Sequence, residues 1–215
     1  MKVNKNNYKY TRGMTFIELI VVLSIVGIIS SVTLLNFSDF STRASLQNLS
    51  QDIALHIKKA QTNAISGRLT GGLDTGQPPA YGIYFNMDTP ESFIYFRDLG
   101  SPRNFLFDGN CDNPGELGVE CLSTTTIQSN DAISDICTHD GSCGYEDLSV
   151  TYVRPFPEPK IYGTKFDTLY ELPSGAKIEI ISPKGINMNI SIWPTGQISV
   201  SDGAVDACGG GGVAC

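Results

Sequence analysis

The longest apolar run of the chain lies near its N-terminus and limits what the protein can fold into. Between Thr15 and Leu35, Glu18 is the only charged residue among 21 positions. A helix of that length, rising about 1.5 Å per residue, reaches roughly 30 Å, which is the thickness of the hydrocarbon core of a bilayer. Four basic residues and no acidic one precede it: Lys2, Lys5, Lys9 and Arg12. The positive-inside rule therefore predicts a cytoplasmic N-terminus, a single pass of the cytoplasmic membrane and export of everything after Leu35.

Three ordinary interpretations of this run compete: a cleaved secretory signal peptide, an uncleaved signal anchor and a buried helix. The basic flank and the length disfavour a buried helix. A cleaved signal peptide has an apolar stretch of about 7 to 15 residues that ends at a small-x-small site, whereas this run is longer and continues into a second helical pattern. In that pattern, apolar residues recur in steps of three and four: Leu46, Leu49, Ile53, Ile57, Ala60 and Ala64.

The sequence thus predicts one helix from about Met14 to Ser66, apolar on all sides in its first half and on one side in its second. Gly67, with Arg68 after it, is a typical helix stop. Glu18 does not suit a simple anchor, because an ionised side chain inside a membrane costs about 2 to 3 kcal/mol at mid-depth and less near the end. A positively charged partner would offset that cost, so Glu18 indicates an interaction.

The stretch "RGMTFIEL", followed by "IVVLSIVGIIS", resembles the N-terminal signature of type IV prepilins and type II secretion pseudopilins. In that family a membrane-embedded aspartyl peptidase removes a short basic leader after a glycine and methylates the new amino terminus. The resemblance implies prepilin peptidase as a partner, cleavage between Gly13 and Met14, and N-methylation of Met14. It also implies that Glu18, the fifth mature residue, neutralises the amino terminus of a neighbouring pilin or pseudopilin subunit during assembly. Such a charge pair attracts strongly in a low-dielectric bundle.

The resemblance has limits along the chain. Met14 stands where phenylalanine is commoner, the 13-residue leader is longer than in many secretory homologues, and the first helical half lacks the proline that bends many major pilins. A looser resemblance, to the H-type minor pseudopilins and their fimbrial relatives, rests on three stretches: "LQNLSQDIALHIKKAQTNAISG", "YGIYF" and "ISIWPTGQISV". Residues 98–147 do not follow it and are interpreted as an insertion that contains cysteines.

After Gly67 the apolar period changes from 3.6 to 2, which indicates strands. Six segments rich in β-branched and aromatic residues are predicted strands: "YGIYFN", "SFIYFRD", "LSVTYVR", "AKIEIIS", "MNISIW" and "QISVS". The turn sequences "SPKG" and "PTGQ" join the last three into an antiparallel meander over Lys177 to Ser201, and "RPFPEPK" is an extended connector. The predicted fold class is α+β and pilin-like, a long N-terminal helix packed on an antiparallel sheet of about five to seven strands. Its predicted parts are a leader at 1–13, a transmembrane or filament-core half-helix at 14–35, an amphipathic half-helix at 36–66 and an exported β-rich domain at 67–215.

Six cysteines, all in the predicted exported part, are candidates for disulfides, because an even number in an oxidising compartment favours pairing. Several connectivities stay open. The spacing suggests three short loops: Cys111 with Cys121, Cys137 with Cys143, and Cys208 with Cys215. A zinc site is disfavoured because the chain has no C-x-x-C pair and its two histidines, His56 and His139, are isolated.

The stretch "FDGNCDNPGEL" places oxygen-bearing side chains at intervals that are typical of calcium loops: Asp108, Asn110, Asp112 and Glu116. Asn113 stands where an EF-hand needs glycine and Val119 stands where it needs a bidentate glutamate, which excludes the standard EF-hand. A looser calcium site and a plain solvated loop both stay open.

Composition and motifs exclude other classes. The formal charge is -7 and no cluster of Lys and Arg follows residue 12, so nucleic acid is not an expected partner. Removal of the leader lowers Lys plus Arg from 15 to 11 while Asp plus Glu stay at 22, which leaves a balance of -11. The spacing of residues singles out no catalytic set, and "CGGGGVAC" lacks the strand, helix and Lys-Ser/Thr of a phosphate-binding loop, so neither catalysis nor a cofactor is expected.

These observations predict a non-enzymatic structural subunit of a type IV pilus or type II secretion pseudopilus. A minor pilin or pseudopilin is preferred, inserted in the cytoplasmic membrane and then assembled into a filament outside it. The sequence does not distinguish among secretion, adhesion, motility and DNA uptake. The alternative is a signal-anchored extracytoplasmic binding module that does not assemble.

Overall fold

The computed structural model describes residues 13–67, 79–99, 102–116 and 118–203, with the side chains of 32–38 outside the description. Residues 1–12 of the predicted leader are likewise outside it. The chain divides into two compact units, Met1–Ser41 and Thr42–Cys215. Helix α1 covers Phe16–Ile65.

Helix α1 ends as the sequence predicts. The amide of Ser66 donates to the carbonyl of Thr62 at 2.9 Å, and the amide of Gly67 donates to that of Ala64 at 3.1 Å. Gly67 has φ +63°, a left-handed conformation that only glycine adopts readily and that commonly closes a helix. The predicted stop at Gly67 is therefore confirmed.

The second half of α1 buries the predicted apolar stripe. Leu49 is partly buried against the core. The other five predicted residues are fully buried: Leu46, Ile53, Ile57, Ala60 and Ala64. Gln61 is buried on the same side, where its amide donates to the carbonyls of Pro157 at 2.8 Å and Gly196 at 3.2 Å. A buried amide needs such partners, so Gln61 ties the helix to a loop and to a turn.

In the part of the chain that the structure describes, ten strands follow the helix: β1 Ala80–Asn86, β2 Ser92–Asp98, β3 Cys121–Thr126, β4 Ala132–Thr138, β5 Asp147–Tyr152, β6 Pro159–Lys165, β7 Thr168–Glu171, β8 Ala176–Ile181, β9 Asn187–Ile192 and β10 Ile198–Asp202. They form a six-stranded sheet, in the order β3-β2-β1-β5-β6-β7, and a four-stranded sheet, in the order β10-β9-β8-β4. All pairings are antiparallel. The predicted α+β class is confirmed, whereas the expectation of one sheet with five to seven strands is wrong.

The predicted meander is confirmed in the four-stranded sheet. Strands β8, β9 and β10 pair in chain order. Their two turns contain Gly185 at φ +76° and Gly196 at φ +80°, in the segments "SPKG" and "PTGQ". The last two residues of the connector "RPFPEPK", Pro159 and Lys160, begin β6, and a proline at the first position of a strand removes little from the ladder.

The segment interpreted as an insertion, 98–147, supplies an outer strand to each sheet. Strand β3 pairs with β2, and β4 pairs with β8, which is far along the chain. Alternate residues of both sheets and the stripe of α1 form a single core. On the opposite face of the six-stranded sheet, Phe107 packs 5.3 Å from Tyr84 and 5.5 Å from Phe96 between ring centroids, so the loop before β3 covers part of that face.

Candidate functional site

The predicted cleavage site lies in exposed, non-helical chain immediately before α1. Gly13, Met14 and Thr15 precede the first helical residue, Phe16. Gly13 is exposed and the Met14 side chain is 64% exposed. A peptide bond that is neither in a helix nor buried can enter an active site without unfolding anything, so the geometry at Gly13 and Met14 suits proteolysis.

Thr15 caps the helix that carries Glu18. The carbonyl of Thr15 accepts the first helical hydrogen bond, from the amide of Leu19 at 3.1 Å. Its hydroxyl accepts a longer one from the amide of Glu18 at 3.4 Å. A threonine followed three residues later by glutamate is the capping-box pattern, in which the glutamate also favours the positive end of the helix dipole. Thr15 was missed at the sequence level although the T-x-x-E spacing signals it.

The observed capping bond involves the amide of Glu18, and the charge of its carboxylate is not paired within the described residues. The ion pairs of the described residues include Lys160 with Glu171 at 3.8 Å and Lys177 with Glu179 at 2.6 Å, and neither involves Glu18. Glu18 is exposed in the first turn of α1. Its carboxylate is therefore available to a cation outside the described chain.

Apolar side chains surround Glu18 on every side of α1. Eleven large ones between positions 16 and 29 are 44 to 79% exposed: Phe16, Ile17, Leu19, Ile20, Val21, Val22, Leu23, Ile25, Val26, Ile28 and Ile29. Gly27 has no heavy atom within 4 Å of an added Cβ. A helix that is apolar all round is stable only when something covers it.

Within the described ranges, no helix offers an apolar stretch long enough to cross a membrane. The predicted span from Thr15 to Leu35 runs into residues 32–38, whose side chains lie outside the description.

The calcium candidates do not converge in the structure. Among the described residues, a single group of three acidic, cysteine or histidine side chains brings its ligand atoms within 4.8 Å of one another, and it includes none of Asp108, Asp112 and Glu116. Asp108 and Asn110 are exposed. The carboxylate of Asp108 accepts from the Asn104 amide at 2.5 Å. Asp108, Asp112 and Glu116 therefore form no ligand group among the described residues, and the looser calcium site stays a prediction.

Buried Arg97 and half-buried Glu120 bond the backbone of that loop. Arg97 is 1% exposed and donates to the carbonyls of Val119 at 3.1 Å and Glu116 at 2.5 Å. Glu120 accepts from the amides of Leu99 at 3.3 Å and Asp108 at 3.0 Å. Burial raises the pKa of Glu120, and the nearby Asp98 and Asp108 carboxylates raise it further, against the lowering effect of these two hydrogen bonds.

Two of the three suggested disulfides are present. Cys111 joins Cys121, and Cys137 joins Cys143. Cys208 and Cys215 lie outside the described residues. The metal-like group formed by Asp135 with Cys137 and Cys143 is explained by the second disulfide, because bonded sulfurs are not thiolate ligands. Asp135 accepts from the amides of Ile136 and Gly144, so its carboxylate has a structural role.

Comparison with known proteins identifies the N-terminal segment. Residues 8–34 match the family model described as the prokaryotic N-terminal methylation motif. No curated protein and no solved structure matches the chain. The match covers Gly13, Met14, Thr15 and Glu18, so the resemblance drawn from "RGMTFIEL" is confirmed for this motif.

Proposed function

We propose that this chain, which carries the N-terminal methylation motif of type IV prepilins and type II pseudopilins, is a membrane-inserted precursor of a filament subunit. Prepilin peptidase cleaves it between Gly13 and Met14 and methylates Met14. The mature chain then leaves the cytoplasmic membrane and assembles with other pilin or pseudopilin subunits through the first half of α1. Its role is structural and non-enzymatic.

The observation that carries the proposal is the combination of this motif with a helix whose apolar surface is exposed all round. Covering one large apolar side chain stabilises by roughly 1.5 to 3 kcal/mol. Eleven such side chains lie within positions 16–29. Lipid covers them before assembly and neighbouring helices cover them afterwards, so the same surface serves both states.

The charge of Glu18 supports assembly over simple anchoring. A carboxylate among exposed apolar side chains is costly in lipid or in a helix bundle unless a cation pairs with it. Cleavage after Gly13 creates such a cation at the amino group of Met14. We infer that Glu18 of one subunit pairs with Met14 of the next, which favours assembly and fixes the register between subunits.

A mass spectrum of the mature N-terminus separates this proposal from its alternative. N-methylated Met14 as the first residue is the expected result, because only the prepilin pathway produces it. An intact Met1, or cleavage elsewhere, would instead indicate a signal-anchored binding module that does not assemble. Gly13→Ala, which changes the residue before the cut, is expected to abolish processing without changing membrane insertion.

A second experiment distinguishes the charge pair from the capping role of Glu18. Glu18→Gln keeps a side chain that can complete the capping box but carries no charge, whereas Glu18→Ala removes both. Both variants are expected to be inserted and cleaved normally and to be missing from sheared filaments on immunoblots. Asp52→Ala removes an exposed charge from the same helix and is the matched control, with normal assembly. If Glu18→Gln assembles at wild-type levels while Glu18→Ala does not, capping rather than charge is the role of Glu18.

Within this class we propose a minor pilin or pseudopilin. The support is the proline-free first half of α1 and the looser resemblance to the H-type subclass, and the latter stays a prediction. The side-chain balance of -11 after cleavage, from 11 basic and 22 acidic residues, disfavours contact with nucleic acid. Quantifying this chain relative to the main filament subunit tests the role, since a minor subunit is a small fraction of the filament.

A further inference from the structure

The four-stranded sheet has one face on the core and one face turned away from it. Buried and half-buried residues alternate along β8 and β9, and side chains of alternate residues lie on opposite faces of a sheet. The register brings the half-buried residues of β8 and β9 beside alternate residues of β10, in two rows of three. We call these six residues the outer face: Lys177, Ser191 and Ser199 in one row, and Glu179, Asn189 and Ser201 in the other.

Trp193 extends the outer face at one end, two residues beyond Ser191. Its amide continues the ladder between β9 and β10 by donating to the carbonyl of Gln197 at 2.9 Å. The indole stacks on the His139 ring, with centroids 4.1 Å apart and planes 9° apart, and its Nε1 donates to Ser199 Oγ at 3.4 Å. Trp193 is 41% exposed and His139 covers one face of its ring, so the exposed area belongs to the other face and the ring edge. The structure thus holds an open aromatic surface beside the two rows.

Most of the outer face consists of short side chains that both donate and accept hydrogen bonds. Serine hydroxyls and the asparagine amide have both capacities, as sugar hydroxyls do. Within the described residues, Asn189, Ser191 and Ser201 make no side-chain hydrogen bond to the protein. Fixing such short side chains costs less conformational entropy than fixing lysine, arginine or glutamate. These three side chains are therefore available, at a low entropic cost, to a ligand with many hydroxyl groups.

The outer face carries no net charge, although the chain carries -7. Its two charged residues pair with each other, Lys177 with Glu179 at 2.6 Å. On the adjacent strand β4, the carboxylate of Asp135 accepts from the amides of Ile136 at 2.8 Å and Gly144 at 3.0 Å. A charged ligand would lose water here without gaining an opposite charge, whereas an uncharged ligand has no such cost. Charge complementarity therefore selects an uncharged ligand.

We propose that the outer face binds an uncharged glycan of β-1,4-linked hexoses, with one ring stacked on Trp193 and the next rings over Ser191 and Asn189. The C–H groups on the face of such a ring suit the negative face of an indole, and the hydroxyls at its rim suit serine and asparagine. From Trp193 to Asn189 the strand covers roughly 14 Å, which is enough for more than one ring. A β-1,4-linked chain is a flat ribbon that follows a strand, whereas an α-1,4-linked chain curves away. This binding goes beyond the proposed function and needs neither cleavage nor assembly, because its residues belong to the unit Thr42–Cys215.

Titration with two isomeric oligosaccharides tests the proposal directly. Cellohexaose and maltohexaose have the same composition and differ in their linkage, which is β-1,4 in the first and α-1,4 in the second. The full chain, in a detergent without a sugar head group, is titrated with each while the fluorescence of Trp193, its one tryptophan, is followed. Cellohexaose is expected to cause a saturable change, and maltohexaose is expected to bind at least tenfold more weakly. No saturable change with cellohexaose, or equal affinity for the two sugars, would overturn the proposal.

Substitutions of exposed aromatic residues test the stacking contact, with the binding of cellohexaose measured by calorimetry. Trp193→Ala is expected to lower the affinity at least tenfold, and Trp193→Phe, which keeps an aromatic ring, is expected to lower it less. Phe166→Ala is the matched control with an unchanged affinity, because Phe166 is 79% exposed between β6 and β7 of the other sheet. Unchanged affinity for Trp193→Ala, or equal losses at the two positions, would refute stacking on Trp193.

Asn189→Ala tests whether the site continues along β9. The side chain of Asn189 is half-buried on the sheet and bonds no protein group within the described residues, so the Tm is expected to stay unchanged. The affinity for cellohexaose is expected to fall about three- to tenfold through the loss of one hydrogen bond. Asn48→Ala, at an exposed position of α1, is the control and is expected to bind normally. Wild-type affinity for Asn189→Ala would mean that the sugar contacts Trp193 alone, and the proposed site along β9 would be wrong.

Discussion

Shortening Ile57 to alanine tests whether the second half of α1 belongs to the core of the unit Thr42–Cys215. Ile57 is 0% exposed and packs within the cluster formed by α1 and both sheets. The change removes three carbon atoms, worth roughly 0.8 kcal/mol each in transfer from water, and adds the cost of the remaining cavity. We therefore expect the free energy of unfolding to fall by about 2 to 5 kcal/mol.

Leu55 provides a matched control two residues away on the same helix. Because its side chain is 65% exposed, Leu55→Ala is expected to change the free energy of unfolding by less than about 1 kcal/mol. Unfolding by urea is followed through Trp193, the one tryptophan of the chain, which stacks on His139 with ring centroids 4.1 Å apart. Dilute protein in mild detergent keeps copies apart during the measurement.

The expected shift is large enough for thermal unfolding to detect as well. For a domain of this size, each kcal/mol lowers the Tm by about 2 to 4 °C, so Ile57→Ala is expected to lower it by roughly 4 to 20 °C. Equal destabilisation by the two variants, or a loss below about 1 kcal/mol for Ile57→Ala, would contradict the placement of this helix face in the core.

Three further predictions follow from the described residues. Burial lowers the pKa of His56; the Asp52 carboxylate opposes this effect and the Lys59 ammonium adds to it. His56 therefore binds a proton near pH 6.5 in the unfolded chain but only at lower pH in the folded chain. The contribution of neutral His56 to stability is therefore fully present above about pH 6.5 and declines as the pH falls below it. Urea titrations should show that the free energy of unfolding falls less between pH 7.5 and pH 5.5 for His56→Phe than for the unchanged chain. Replacing Cys111 and Cys121 together by serine opens a loop whose ends are 10 residues apart in the sequence. The free energy of unfolding, measured by urea titration, is expected to fall by about 2 to 3 kcal/mol. An unchanged free energy would mean that Arg97 and Glu120 hold the loop without the disulfide. Gly196→Ala and Gly185→Ala both place alanine at positive φ, which costs about 1 to 2 kcal/mol. A Cβ at Gly196 would in addition lie 2.2 Å from the Pro157 carbonyl, whereas Gly185 has open space around it. Differential scanning calorimetry should therefore show a larger loss of Tm for Gly196→Ala than for Gly185→Ala.

Most of the candidate site could be predicted from the sequence because it is local. The spacing from Gly13 to Glu18 and the apolar run after it lie within one short segment, and no distant residue is needed to recognise them. The role of Thr15 is equally local and was available from the T-x-x-E spacing. The calcium candidates, by contrast, depend on the rest of the fold, because side chains at suitable spacing converge only when the loop bends around an ion, and this loop is bonded by Arg97 and Glu120.

The sequence by itself determined the elements that depend on neighbouring residues. The stripe from Leu46 to Ala64 repeats at helical spacing, and the meander of β8, β9 and β10 combines alternating apolar residues with glycine turns, so each could be recognised within a short window. The helix stop at Gly67 has the same local origin.

Only the tertiary structure decided how many sheets form and which strands belong to each sheet. Strand β4 pairs with β8 far along the chain, and no local pattern encodes that choice. Strands β3 and β7 are outer strands with several exposed side chains, so they lack the alternation that reveals a half-buried strand. Burial of one face creates the sequence signal for a strand, and an outer strand that buries little leaves almost none.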